Sequence, residues 1–152
     1  MRWIATDIQK YLEQKAFIDT VLIPLVPVAW GEDLVPAVRE GEFILTLISE
    51  TERQLQGRVV LMPPFTYLKN EPIEQTLERL SRWEEVIRSE NVKCVFFVTA
   101  DVTWKKYEER LKTLIWAAPI PLEHMDERYL KEFVDENVGF IMRKITEIWR
   151  IS

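Results

Sequence analysis

Four short runs of nearly unbroken apolar residues constrain this chain more than any other feature. They are Val21-Leu22-Ile23-Pro24-Leu25-Val26, Val59-Val60-Leu61-Met62, Lys93-Cys94-Val95-Phe96-Phe97-Val98-Thr99 and Thr113-Leu114-Ile115-Trp116-Ala117. None alternates apolar with polar residues, so each reads as a strand buried on both faces, the pattern of a parallel sheet covered on its two sides. Prolines punctuate them: Pro24 and Pro27 limit the first near its end, Pro63-Pro64 stops the second, and Pro119 and Pro121 close the fourth. Phe65 to Leu68 then reads as a loop or a short extension, and Pro27 to Gly41 and Pro63 to Asn70 as irregular segments.

Between the strands the periodicity changes from continuous to helical. Thr6-Asp7-Ile8-Gln9 has the form of a capping box, and Ile8, Tyr11 and Leu12 follow at helical spacing, which predicts a helix over Thr6 to Ala16. Phe43, Ile44, Leu47, Ile48 and Leu55 predict a second over Glu42 to Gln56, ended by Gly57. Glu71-Pro72 opens a third, with Ile73, Leu77, Leu80, Trp83 and Ile87 on its inner side. A further helix is predicted from Trp104 to Leu111, and a long terminal one from Asp126, its N-cap, carried by Leu130, Phe133, Val134, Val138, Ile141, Ile145 and Ile148. Apolar strands alternating with amphipathic helices define an α/β chain. The expectation is a three-layer α/β/α sandwich around a mainly parallel sheet of about four strands, as one domain over residues 1–152.

Several functions are disfavoured by what the chain contains. Twenty Lys and Arg against 25 Asp and Glu give a net charge of -5, with the basic residues scattered, so no nucleic-acid footprint is expected. Cys94 is the single cysteine and sits inside an apolar run, which reads as a buried, inert thiol and leaves no cysteine-based zinc cage. Asp7 precedes any apolar segment and the stretch Val21 to Trp30 is short and broken by prolines, so neither a secretory signal nor a membrane span is expected and the protein is placed in the cytoplasm. The four glycines form no phosphate-binding loop, and Ser49, Ser81 and Ser89 fall in helices rather than in a nucleophile elbow. No cofactor or bound metal is expected.

In open parallel sheets ligands lodge outside the carboxyl ends of the strands, so the residues after each strand are the candidates. Here they are Trp30 and Glu32 after the first, Tyr67 after the second, Asp101 and Trp104 after the third, and Glu123 and His124 after the fourth. This edge is acidic and aromatic. One reading makes Asp101 or Glu123 a general base partnered by His124, or gathers Glu32, Asp101 and His124 around a metal. The plainer reading takes the carboxylates as solvated loop residues and the lone His124 as a hydrogen-bonded structural group. Of the six tryptophans, Trp3, Trp30 and Trp104 lie at element edges, where a flat ring serves either a protein contact or a small core.

Met1-Arg2-Trp3, Asp19 to Pro27, Leu61-Met62-Pro63-Pro64-Phe65-Thr66-Tyr67-Leu68 and Ile120-Pro121-Leu122-Glu123-His124-Met125-Asp126 together resemble the YpiF family of Bacillus-type bacteria over nearly the whole chain. That resemblance implies a bacterial cytosolic protein and no assigned reaction. The order of strands, prolines and helices also resembles the creatininase fold, as it does a flavodoxin-like one. Creatininases bind two metals through histidine-bearing motifs at places that read Trp30-Gly31-Glu32 and Thr99-Ala100-Asp101 here, so only the fold is implied. The expected function is a non-catalytic protein-interaction or regulatory domain, meeting a protein partner or a second copy of itself. The alternative is a small-molecule-binding protein or metal-independent enzyme using the strand-end crevice.

Overall fold

The computed structural model describes residues 1–152. The chain runs through α1 (Ala5–Glu13), β1 (Thr20–Val28), α2 (Leu34–Gln54), β2 (Val59–Leu61), β3 (Phe65–Leu68), α3 (Ile73–Arg88), β4 (Cys94–Thr99), β5 (Leu114–Trp116) and α4 (Glu127–Ile151). Short 3-10 turns at Gly31–Asp33, Val102–Tyr107 and Leu122–His124 follow β1, β4 and β5. Every strand pairing is parallel. The order is β2-β1-β4-β5, with β3 also on β1.

β2 and β3 occupy one position in the sheet. β2 pairs with β1 from Thr20 to Leu22 and β3 from Leu25 to Val28, so the two are successive pieces of one strand position beside β1. From Leu22↔Leu61 to Leu25↔Phe65 the neighbour advances one residue more than β1 does, and Met62-Pro63-Pro64 takes up that excess as a bulge. The same break accommodates Pro24, which lies opposite it where no ladder donor is needed. Pro27 lies beyond Leu25↔Thr99, the last pairing of β1 with β4. The prolines therefore shape β1 without ending it, because each missing N–H falls where a neighbour is absent. Phe65 to Leu68, read from sequence as a loop or extension, is a paired strand.

Two further expectations are corrected. α2 begins at Leu34, eight residues before the predicted Glu42, so the second half of the segment read as irregular is helix. Pro36 stands in its first turn, where no intrahelical donor is required. The helix predicted at Trp104 to Leu111 is instead the 3-10 turn Val102–Tyr107 followed by loose turns. Its three bulky residues, Trp104, Tyr107 and Leu111, mimic helical spacing while anchoring an irregular crossover to the core.

The sheet is covered on both sides, which makes three layers. On one face Phe43, Ile44, Leu47 and Ile48 of α2 and Val138, Ile141 and Ile145 of α4 pack against Leu22, Phe96, Val98 and Ile115. On the other, Leu77 and Leu80 of α3, with Ile8 and Tyr11 of α1 at the margin, pack against Val21, Ile23, Val95 and Phe97. Each fully buried side chain of this size contributes roughly 1.5–3 kcal/mol of transfer free energy, so the double-sided apolar runs supply the stabilisation that the sequence pattern promises. Gly41 lets α2 lie close to β1: a Cβ there would stand 3.0 Å from Val26 Cγ1.

Taking β2 and β3 as one, the connections from β1 and β4 run to opposite sides of the sheet. The sheet thus reverses its order between β1 and β4, in the arrangement of the first four strands of flavodoxin-like sheets. The carboxyl ends of these two strands are where a crevice belongs.

Candidate functional site

At those strand ends the candidate residues divide into two groups. Thr99, the last residue of β4, accepts a hydrogen bond at Oγ1 from the Asp101 backbone N–H (3.0 Å), which folds the chain back over the sheet. Asp101 then caps the 3-10 turn, its Oδ1 accepting from the Thr103 N–H (3.0 Å). Its other oxygen accepts from the Tyr67 hydroxyl (2.7 Å), and that hydroxyl in turn accepts from the Trp104 indole N–H (2.8 Å). The Tyr67 and Trp104 rings meet edge to face, their centroids 5.3 Å apart. All three residues are buried, Trp104 being only 1% exposed.

The chemistry of this group follows from its saturation. Burial, reinforced by the Asp101 carboxylate beside it, pushes the Tyr67 hydroxyl far above the ordinary tyrosine range. It stays a protonated donor. With both Asp101 oxygens and the indole N–H already engaged, Asp101, Tyr67 and Trp104 form a closed hydrogen-bonded unit that joins β3 to the turn after β4.

Beside it lies a pair that sequence reasoning missed. Lys69, just past β3, holds Glu40 of α2, its Nζ 3.0 Å from Oε1 and 2.7 Å from Oε2. Glu40 is buried. Burial raises its pKa, Lys69 opposes that rise, and the charges of Asp101 and Asp33 add to it. Both residues fall in segments read as irregular, yet a signal existed: Ala37, Gly41, Ile44 and Ile48 recur at helical spacing and place Glu40 on the inner side of α2.

The other candidates stand in solvent. Trp30, after β1, is 81% exposed, and Gly31 beside it takes a left-handed φ of +78°. Glu32 is exposed. Glu123 and His124, exposed on the 3-10 turn after β5, are tied to α2 rather than to the buried unit: Arg39 Nε donates to Glu123 Oε2 (2.9 Å), and Arg39 Nη2 lies 3.3 Å from His124 Nε2. The guanidinium holds the Glu123 carboxyl below its usual range. Glu32, Asp101 and His124 are not gathered, and no group of three or more His, Cys, Asp or Glu side chains is placed to hold a metal ion. Asp126 caps α4 as predicted, accepting from the N–H groups of Arg128 and Tyr129 (3.0 and 3.3 Å). Cys94 is buried.

Around the strand ends several apolar side chains are also exposed. Val28 and Leu68 are register partners at the ends of β1 and β3, and both are exposed. Val35 and Val38 on the first turns of α2, and Val102 after β4, are exposed as well. A depression of about 510 Å³ beside the end of β3 is wide open and has Arg79 paired with Glu71 across its wall.

Fold and site together define a doubly wound parallel α/β domain with a locked polar centre and an apolar rim at the carboxyl edge of its sheet. The family described as "Protein of unknown function (DUF2487)" matches residues 9–149, and the chain belongs to it. It is 37% identical over 150 residues, 98% of each chain, to the uncharacterized protein YpiF of Bacillus subtilis (strain 168). No solved structure matches the chain. No helix is long and apolar enough to cross a membrane.

Proposed function

We propose that this is a protein-interaction domain whose contact surface is the apolar rim at the carboxyl ends of the strands, centred on Trp30. The observation that carries this reading is the exposure of Trp30 two residues past Val28, which is itself exposed together with its register partner Leu68, because folded proteins seldom leave neighbouring large apolar groups in water without a use for them. The crevice reading has less support: Tyr67, Asp101 and Trp104 satisfy one another, the depression that Tyr67 lines is wide open, and Glu32, Glu123 and His124 face solvent.

The test is photo-crosslinking in cells with benzoylphenylalanine placed at Trp30, and separately at the exposed Val86 near the far end of α3. A defined adduct, to a second copy or another protein, is expected at the first position, absent at the second, and lost when Leu68→Asp is added. Adducts that are equal at both positions, or insensitive to Leu68→Asp, overturn the proposal.

A further inference from the structure

A second surface lies at the opposite margin of the sheet and does not depend on the strand-end rim. β5 pairs with β4 alone. Thr113 accepts from the Phe97 N–H and Ala117 donates to the Thr99 carbonyl, so the odd-numbered residues here turn their backbone groups to β4. By strand alternation, Leu114 and Trp116 turn theirs outward. The Leu114 N–H is taken by the Leu111 carbonyl (3.0 Å), which leaves the Leu114 carbonyl and both backbone groups of Trp116 directed at the open edge.

Along that edge runs a slot of about 480 Å³. Its walls come from both faces of the sheet: Lys105, Leu111 and Trp116 on one side, Phe140, Lys144 and Ile148 on the other. It therefore occupies the place where another strand of the sheet would run. The Trp116 indole N–H beside it is buried and has no acceptor, with Lys105 Nζ 4.5 Å from the ring centroid. Three lysines, Lys105, Lys112 and Lys144, line the slot against two carboxylates, Glu108 and Glu147, a local balance of 3 − 2 = +1. The whole chain carries -5. The lysine ion pairs of the protein are those of Lys15 and Lys69, so these three ammonium groups are unpaired.

We propose that this slot receives an extended, acidic peptide segment of a partner protein, added to β5 as a further strand. Its backbone meets the free groups of Leu114 and Trp116, and its carboxylates meet the lysines. β5 is three residues long, so the paired core of the segment is about 10 Å, or three to four residues. Lysines beside a short edge strand also serve to repel unwanted strands. A half-open slot of mixed lining, beside free backbone groups of β5 and three unpaired ammonium groups, fits an occupant better than a guard.

The experiment uses the full chain, labelled with ¹⁵N, and two end-blocked probe peptides at millimolar concentration, Val-Glu-Val-Glu-Val and Val-Lys-Val-Lys-Val. At about ten times its Kd the acidic peptide is expected to slow exchange of the Trp116 amide about tenfold and to shift the Trp116 indole N–H. Added salt and the exposed double substitution Lys112→Glu/Lys144→Glu are expected to weaken both effects. Equal protection by the two peptides, or none by either, overturns the proposal. So does an indole shift reproduced by glutarate without slowing of the backbone amide, which assigns the slot to a small carboxylate.

Discussion

Tyr67 lies in β3, and Asp101 and Trp104 follow β4 much as Trp30 and Glu32 follow β1 and Glu123 and His124 follow β5, yet the first three are locked together inside the protein and the other four stand in water. The contrast arises in the first residues after each strand. After β4, the bond from the Asp101 N–H to Thr99 Oγ1 and the Asp101 cap on the following turn carry the chain back across the sheet and bring Trp104 under cover. After β1, the left-handed Gly31 opens an exposed turn that buries none of Trp30, Glu32 or Asp33. Residues in equivalent positions along the chain thus divide between holding the fold together and meeting what lies outside it.

The largest effect expected from this contrast is in Trp104→Ala. It deletes a wholly buried indole and the bond that indole donates to the Tyr67 hydroxyl, and urea unfolding is expected to record a loss of about 3–5 kcal/mol. A loss below about 1 kcal/mol would mean that the buried unit is not what secures this end of the sheet. Tyr67→Phe sharpens the point, because it keeps the ring and removes only the oxygen shared by Asp101 and Trp104. The expected cost is about 1–3 kcal/mol in the same measurement, with crosslinking through position 30 retained. Trp30→Ala is the smallest on stability, within about 0.5 kcal/mol, since the ring covers little of the core. If Trp30→Ala destabilises as much as Tyr67→Phe does, the division between the two groups fails.

The buried unit was half legible. Tyr67, Asp101 and Trp104 stood out as strand-end residues, but their mutual hydrogen bonds depend on the bulge at Met62-Pro63-Pro64, which resumes the strand at Phe65 and so brings Tyr67 opposite Pro27 beside the end of β4. A reading that ends the strand at those prolines leaves Tyr67 in a loop with no fixed neighbour. Lys69 was missed because it lies in the same segment after Pro63-Pro64, and Glu40 for a related cause: Pro36 and Gly41 look like helix breakers, whereas the first sits where no donor is needed and the second clears space for Val26.

The sequence by itself determined the layers. Continuous apolar runs have to be buried on both sides, and amphipathic stretches between them are the only segments able to cover both faces, so a parallel sheet between two helical layers follows from local patterning. Only the tertiary structure decided which strand-end groups touch, which edge stays open, and where a buried donor lacks its acceptor. Those outcomes rest on register and on the direction of a few turns, and a hydrogen bond a few ångströms long is fixed by residues that stand 34 or 37 positions apart along the chain.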